Sequence, residues 1–470
     1  MPTTGESDLA FDDMRAISYP QIKQVRRRRY RRALGGSIAL GIVALAFLCA
    51  CAFTAPVVAR LIPPRYVARF VPEPLQGYFQ TAHTELPTPP SAPAPHAVVS
   101  LLTPISTPPP SSSVTPASRS TLQPTSTPQP TQPSARPTPT LTLVPFLNPT
   151  VSARSTPAAL EFATVYLTGF RHMYQTWNNC GPANLGMALS YYGWKGSQAD
   201  AAASLKPDPE DRNVNPDELA SFARSQGLGA VVRANGTLEL LQRLIRAGFP
   251  PIVEKGFEPE EKLGWMGHYE LVVGWSDTTR EFIVMDSYLG PNQSVSFDDM
   301  DQYWRQFNRT YVVIYKSEQQ AALARIIGAE MDDATMYHNG LARTQAELNE
   351  NQKDAFGWFN LGTNYAALKM NNEAVAAYDE ARRIGLPWRM TWYQFGWFEA
   401  YLATNRLDDV TALADVTLKN DPYAEEMYYY KGLVFQKRGD ENAAREQFNL
   451  ALKHNPNFGK AKQALGTAGP

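Results

Sequence analysis

Apolar and polar positions alternate in four different rhythms along this 470-residue chain, and each rhythm marks a segment. From Ala33 to Ala59 no charged residue occurs, a run of 27 that exceeds the roughly 20 a helix needs to cross a bilayer. Between Leu86 and Pro157 proline, serine and threonine dominate and no apolar period survives. Nothing there repays chain entropy, so an extended, partly polyproline II stalk is expected. At about 3.1 Å per residue, some 70 residues would reach on the order of 200 Å.

Past Ala159 the pattern turns globular. "EFATVYLTGF" alternates as a strand does, and a helix is expected from about Gly181 to Tyr192. A Pro/Asp-rich loop, a helix at "NPDELASFARSQG", a strand at "GAVVRA" and a helix at "TLELLQRLIRAG" ending on Gly248 follow. Four more strand candidates come next, "PPIVEKG", "HYELVVGW", "EFIVMDS" and "TYVVIYK". Helices first and strands later predict an α+β domain, a helix set against an antiparallel sheet. After Ser317 the chain reads as helical and repetitive, with Gly328, Gly362, Gly396 and Gly432 at spacings of 34, 34 and 36 residues, a period that signals a solenoid. The expected organisation is 1–32 basic segment, 33–59 span, 60–159 stalk, 160–317 α+β domain and 318–470 all-α repeats.

Charge adds orientation. "KQVRRRRYRR" (Lys23–Arg32) precedes the span and only Arg60 and Arg65 follow closely, which places the N-terminus in the cytoplasm and the later domains outside the cell membrane. A cleaved signal peptide and a lipoprotein box at "LCAC" are the competing readings. A net charge of −1 without a basic aromatic patch beyond the N-terminus gives no argument for nucleic acid.

The candidate chemistry lies in "YQTWNNCGPANLGMALSYYG". Cys49 and Cys51 fall inside the span, so Cys180 is the one thiol of the expected ectodomain. Pro182 suits a first helical turn, which puts Cys180 at a helix N-terminus, where unpaired amides and the dipole stabilise a thiolate. A thiolate nucleophile needs a base. His172 and His268 are the two histidines between residues 160 and 317; His172 reads as a surface loop residue. His268 opens a strand after a Gly-bearing loop, and Asp286 closes the next strand, so the two would stand side by side and Asp286 would orient the imidazole. Gln175 is the natural side-chain oxyanion donor beside the Cys180 amide. Trp177 and Trp265 read as walls. This chemistry needs no cofactor and no metal.

These residues, with "GFPPIVEKGF", "GHYELVVGW" and "FIVMDSYLG", resemble cysteine-peptidase family 39, the papain-like group that includes the double-glycine leader peptidases of bacteriocin exporters. The resemblance covers about a third of the chain and implies Cys180 as nucleophile, His268 as base, Asp286 as orienting acid and Gln175 as oxyanion donor. Gln175 stands five residues before the cysteine, where the family usually shows six. Those exporters carry an ATPase; this chain has no G-x-x-x-x-G-K-[ST] loop, so leader removal during export is not implied. The repeats are similar to tetratricopeptide units, three with a fourth as a cap. Their frame turns Phe359, Thr363, Tyr393, Trp397 and Tyr429 toward a groove for an apolar peptide or protein partner, the alternative being rings that pack between helices.

The expectation is a membrane-anchored extracytoplasmic cysteine peptidase acting on a peptide or protein substrate, with repeats recruiting substrate or partner. A catalytically inactive surface scaffold and a cell-wall peptide amidase are the alternatives.

Overall fold

The computed structural model describes residues 71–72, 85–89, 100–102, 164–259 and 263–466. The expected span at 33–59 lies outside them, as does most of the stalk. Among the described residues no helix is long and apolar enough to cross a membrane.

Seven strands form one antiparallel sheet: β1 (Thr164–Tyr166), β2 (Gly229–Arg233), β3 (Pro251–Phe257), β4 (Met266–Ser276), β5 (Glu281–Asp286), β6 (Gly290–Ser296) and β7 (Tyr311–Tyr315). Their order is β2-β7-β3-β4-β5-β6. The long β4 serves two neighbours on one side: its first half pairs with β3 and its last residues with β1. That second pairing needs Gly274, because a Cβ there would stand 2.8 Å from the Val165 carbonyl oxygen.

Helices cover both faces of the sheet, where the sequence predicts a helix set on it. On one face α1 (Cys180–Tyr191), α2 (Gln198–Leu205) and α3 (Pro216–Ser225) bury Leu185, Leu189, Leu219 and Ala220 against Ile252, Leu271 and Ile314. On the other, α4 (Leu238–Arg246), α5 (Phe297–Trp304) and α6 (Gln320–Ile327) bury Leu241, Met300, Trp304 and Leu323 against Val253, Val272 and Val313. Local signals start α3 and α4 where expected. Asn215 and Glu218 form a capping box on α3, and Thr237 Oγ1 accepts from the Leu240 amide at 3.0 Å to cap α4. Because Leu323 and Ile327 sit in the sheet-domain core, α6 belongs to that domain rather than to the helical array expected from residue 318.

From Asp333 on, the described residues form an all-helical region: α7 (Asp333–Glu350), the pairs α8–α9 (Ala355–Ala367, Asn371–Ile384), α10–α11 (Gly396–Ala403, Leu407–Asn420) and α12–α13 (Glu425–Lys437, Glu441–His454), then α14 (Gly459–Ala464). Gly362 lies under Tyr378, where a Cβ would meet the ring at 2.7 Å, and Gly432 lies in the same way under Phe448. The period therefore reports helix-to-helix contact in these two units. Gly328 does not share it: it sits after α6 at φ 73° with open space around it.

Two further expectations need correction. Phe359 and Trp397 are fully buried between the helices, 5.1 Å apart in an edge contact, so they pack rather than line a groove. Tyr429 is half-buried against Phe448 and Phe458, and Thr363 takes the Tyr378 hydroxyl. Parts of the stalk also dock on the helices. Leu101 and Leu102 are buried, the Leu101 carbonyl accepts from Gln345 Nε2 (2.8 Å) and the Tyr365 hydroxyl (2.9 Å), and the Pro87 carbonyl accepts from the Arg382 guanidinium.

Candidate active site

The loop before α1 is built to present Cys180. Asn178 takes a left-handed conformation at φ 50°, which asparagine tolerates, and its carbonyl accepts from buried Lys206 at 2.8 Å. Asn179, at the N-cap, does not cap: its amide donates to Gln198 Oε1 at 2.7 Å. Gln198 Oε1 also receives the Thr176 amide, and its own Nε2 donates to the Tyr174 carbonyl. With no side-chain cap and no acidic residue in the first turn, the amides opening α1 stay available and the positive end of the dipole is uncompensated.

Cys180 is half-buried at this helix start. Burial pushes its thiol up, but a hydrogen bond and charge from His268, the Tyr269 backbone N–H and the Lys206 ammonium together hold it below the ordinary value. His268 is buried on β4. Burial alone would lower its pKa, yet the charge and hydrogen bond of Asp286 and the contact with Cys180 raise it to about 10. His268 Nε2 lies 3.3 Å from Asp286 Oδ2, leaving Nδ1 for the thiol side. Phe257 stacks on the imidazole at 4.4 Å between centroids.

Asp286 is fully buried at the end of β5. Burial raises its carboxyl, but His268 and the amides of Leu289 and Tyr288 outweigh that and keep it below the usual range. Those amides meet Oδ1 at 2.7 and 2.5 Å. His172, expected at the surface, is half-buried and bonds the Asp286 carbonyl at 2.9 Å.

Gln175 is held twice by Ser287. Its backbone N–H donates to the Ser287 carbonyl, and Ser287 Oγ donates to Gln175 Oε1, both at 2.7 Å. With the carbonyl end of the side chain engaged, the amide NH2 is the end left to donate. Ser287 is linked in turn to fully buried Asn184, whose Nδ2 lies 3.0 Å from Ser287 Oγ, 2.7 Å from the Tyr269 carbonyl and 3.0 Å from the Cys180 carbonyl. Sequence reasoning passed over Ser287, Asn184 and Phe257. The available signals were that Asn184 stands one helical turn after Cys180 and Ser287 directly follows Asp286.

Trp265 is buried and donates to Gln306 Oε1 at 2.6 Å; Trp177 donates to Glu210 Oε2 at 3.2 Å. Both act as walls. His268, Glu270 and Asp286 offer ligand atoms within 4.8 Å of one another. The Lys255 ammonium, 2.9 Å from Glu270, and the amides on Asp286 already balance these carboxylates.

The segment that carries this cysteine, histidine and aspartate matches a known family model. Residues 167–312 fit the model of the Peptidase C39 like family. This segment is a C39-like peptidase domain. Solved structures similar to the C39-like domain include a protein described as a C39-like peptidase from Bacillus anthracis, at 16% identity and TM-score 0.27, covering 33% of this chain and 98% of that one. Another is a double glycine motif protease from an AMS/PCAT transporter, solved with the leader peptide, at 17% identity and TM-score 0.25, covering 33% and 99%. No curated protein matches the chain.

Proposed function

We propose that the C39-like domain is a working thiol peptidase that hydrolyses peptide bonds by acyl transfer. One observation carries the reading: Cys180 at the start of α1, His268 on β4 and Asp286 at the end of β5 form one linked set, with His268 Nε2 3.3 Å from Asp286 Oδ2 and the imidazole drawing the thiol below its ordinary value, an arrangement that favours a thiolate–imidazolium pair. Cys180 Sγ attacks the scissile carbonyl carbon. The oxyanion meets the Cys180 backbone N–H and the Gln175 side-chain amide. His268 gives its proton to the leaving amine, then takes one from the water that hydrolyses the thioester, while Asp286 holds the ring and supports its charge.

Within this reading the helix pairs are tetratricopeptide-type repeats, supported by the ring contacts over Gly362 and Gly432, and they take a peptide or protein partner. The charge-free run at 33–59 behind the arginine cluster supports a single-pass anchor with the later domains outside the cell. Protease added to intact cells then releases both globular parts; release only after lysis contradicts this topology.

The activity is tested with a quenched-fluorescent peptide library. The full chain cleaves a subset of peptides and Cys180→Ala cleaves none. Equal fluorescence from the two proteins overturns the reading.

A further inference from the structure

The described residues of the sheet domain and of the helical array belong to one contact unit, and the array touches the sheet domain close to the site. The short 3-10 turn Trp388–Trp392 and Tyr393 reach the segment leading into His268. Arg389 Nη1 donates to the Leu263 carbonyl and, at 2.9 Å, to the Trp265 carbonyl. Gln394 Nε2 donates to the Gln306 carbonyl at 3.0 Å, and Gln306 Oε1 holds the Trp265 indole. The Tyr393 ring covers Gly267, where a Cβ would stand 2.9 Å from its Cγ, and meets Trp265 and Phe307 edge-on at about 6 Å. Burial pushes the Tyr393 phenol well up.

We infer that the helical array is part of the site: Arg389 and Tyr393 are positioning residues that fix residues 263–267 and thereby set the imidazole of His268 against Cys180. Their geometry fits that task. A guanidinium on two nearby carbonyls restrains a loop that carries no strand pairing of its own before Met266. Trp388 and Trp392 flank that guanidinium at 4.8 and 5.5 Å and hold its plane. Gly267 lets the aromatic cap approach the backbone immediately ahead of the histidine. The ring expected to face a peptide groove instead packs on Gly267, Trp265 and Phe307. An imidazole displaced by a fraction of an ångström no longer stabilises the thiolate fully.

This inference rests on the thiolate–imidazolium reading, and its test separates the two. The rate of Cys180 alkylation by iodoacetamide, followed by peptide mapping in the full chain, is measured from pH 5 to 10 for the parent, Arg389→Ala, Arg389→Lys and Tyr393→Leu. A parent that labels like a free thiol removes the site reading itself. With a perturbed parent, Arg389→Ala and Tyr393→Leu lose about tenfold in rate at pH 6 and stay within about twofold at pH 10, where the thiol ionises unaided. Arg389→Lys, which still donates to a carbonyl, recovers most of the loss. Should Arg389→Ala fail to fold, Arg389→Gln is read by the same criterion. Variants that melt earlier yet keep the parental pH profile show a packing role only and overturn the inference.

Discussion

Asp286 grips His268 with one carboxylate oxygen, 3.3 Å from Nε2, while two peptide amides pin the other oxygen at 2.5 and 2.7 Å. The carboxylate cannot turn away, so the ring keeps its Nδ1 edge toward Cys180. Removing the charge tests this directly. Burial disfavours the imidazolium, and the Asp286 charge is the largest influence opposing that. In Asp286→Asn the alkaline limb of kcat/KM, set near pH 10 by loss of the His268 proton, moves toward lower pH, and turnover at neutral pH falls by about 10²-fold or more. A profile superimposable on the parent's contradicts the assigned role.

Ser287 holds Gln175 by its side-chain carbonyl end, which aims the amide. Gln175→Ala is expected to lower kcat by about 10²-fold, with the alkylation rate of Cys180 unchanged, because the donor acts on the oxyanion and not on the thiol. Ser287→Ala follows the same pattern with a smaller loss. If both variants slow alkylation and turnover equally, the pair only supports the loop.

Where α3 and its preceding loop meet α12, Asp211, Asp421, Glu425 and Glu426 are all buried. Burial raises each of the four, Asp211 to about 7, and mutual repulsion adds to it. Lys206 and Arg212 face them as cations, and Asn215 and Asn455 donate to Glu426 and Glu425. The folded state keeps protons that the unfolded chain has already released in the ordinary carboxylate range, so stability falls as pH rises from about 4 through about 7. Glu426→Gln, which mimics the protonated acid, raises the melting temperature at pH 8 by about 2 °C or more and changes far less at about pH 4. The reverse dependence in calorimetry removes this account of the interface.

Leu101 enters the helical core although it belongs to a Pro/Ser/Thr-rich stretch. Leu101→Ala is expected to cost about 2 kcal/mol or more by emptying a filled position, read as a lower urea midpoint. An unchanged midpoint means the docked segment contributes no stability.

The sheet domain was legible wherever apolar residues alternate or recur. β3, β4, β5 and β7 carry such runs because each is buried on at least one face. β6, "GPNQSVS", lies at the sheet edge with polar residues facing solvent, so no alternation announces it. Cys180, His268 and Asp286 could be read from strand ends and a helix start. Ser287 and Asn184 leave only their positions beside Asp286 and one turn after Cys180 as a local signal; the bonds that give them their roles span 112 and 103 residues. The groove expectation failed at Phe359 and Trp397 because the repeat frame fixes which way a side chain leaves its helix, not whether a neighbouring ring fills the space. Tyr393 went to the sheet domain for a similar reason: Gly267 leaves room for a ring, and nothing local to Tyr393 records that.

The central claim is that Cys180 is an ionised nucleophile at neutral pH, paired with His268. Its most direct measurement is the ultraviolet thiolate absorbance of the full chain against pH, taken as the difference from Cys180→Ser and repeated in His268→Ala. The account predicts a difference signal that persists well below about pH 8.5, the ordinary thiol midpoint, and that moves up toward that value when the imidazole is removed. A difference signal titrating at or above about 8.5 in the parent, indifferent to His268→Ala, would show a packed, neutral cysteine and contradict the account.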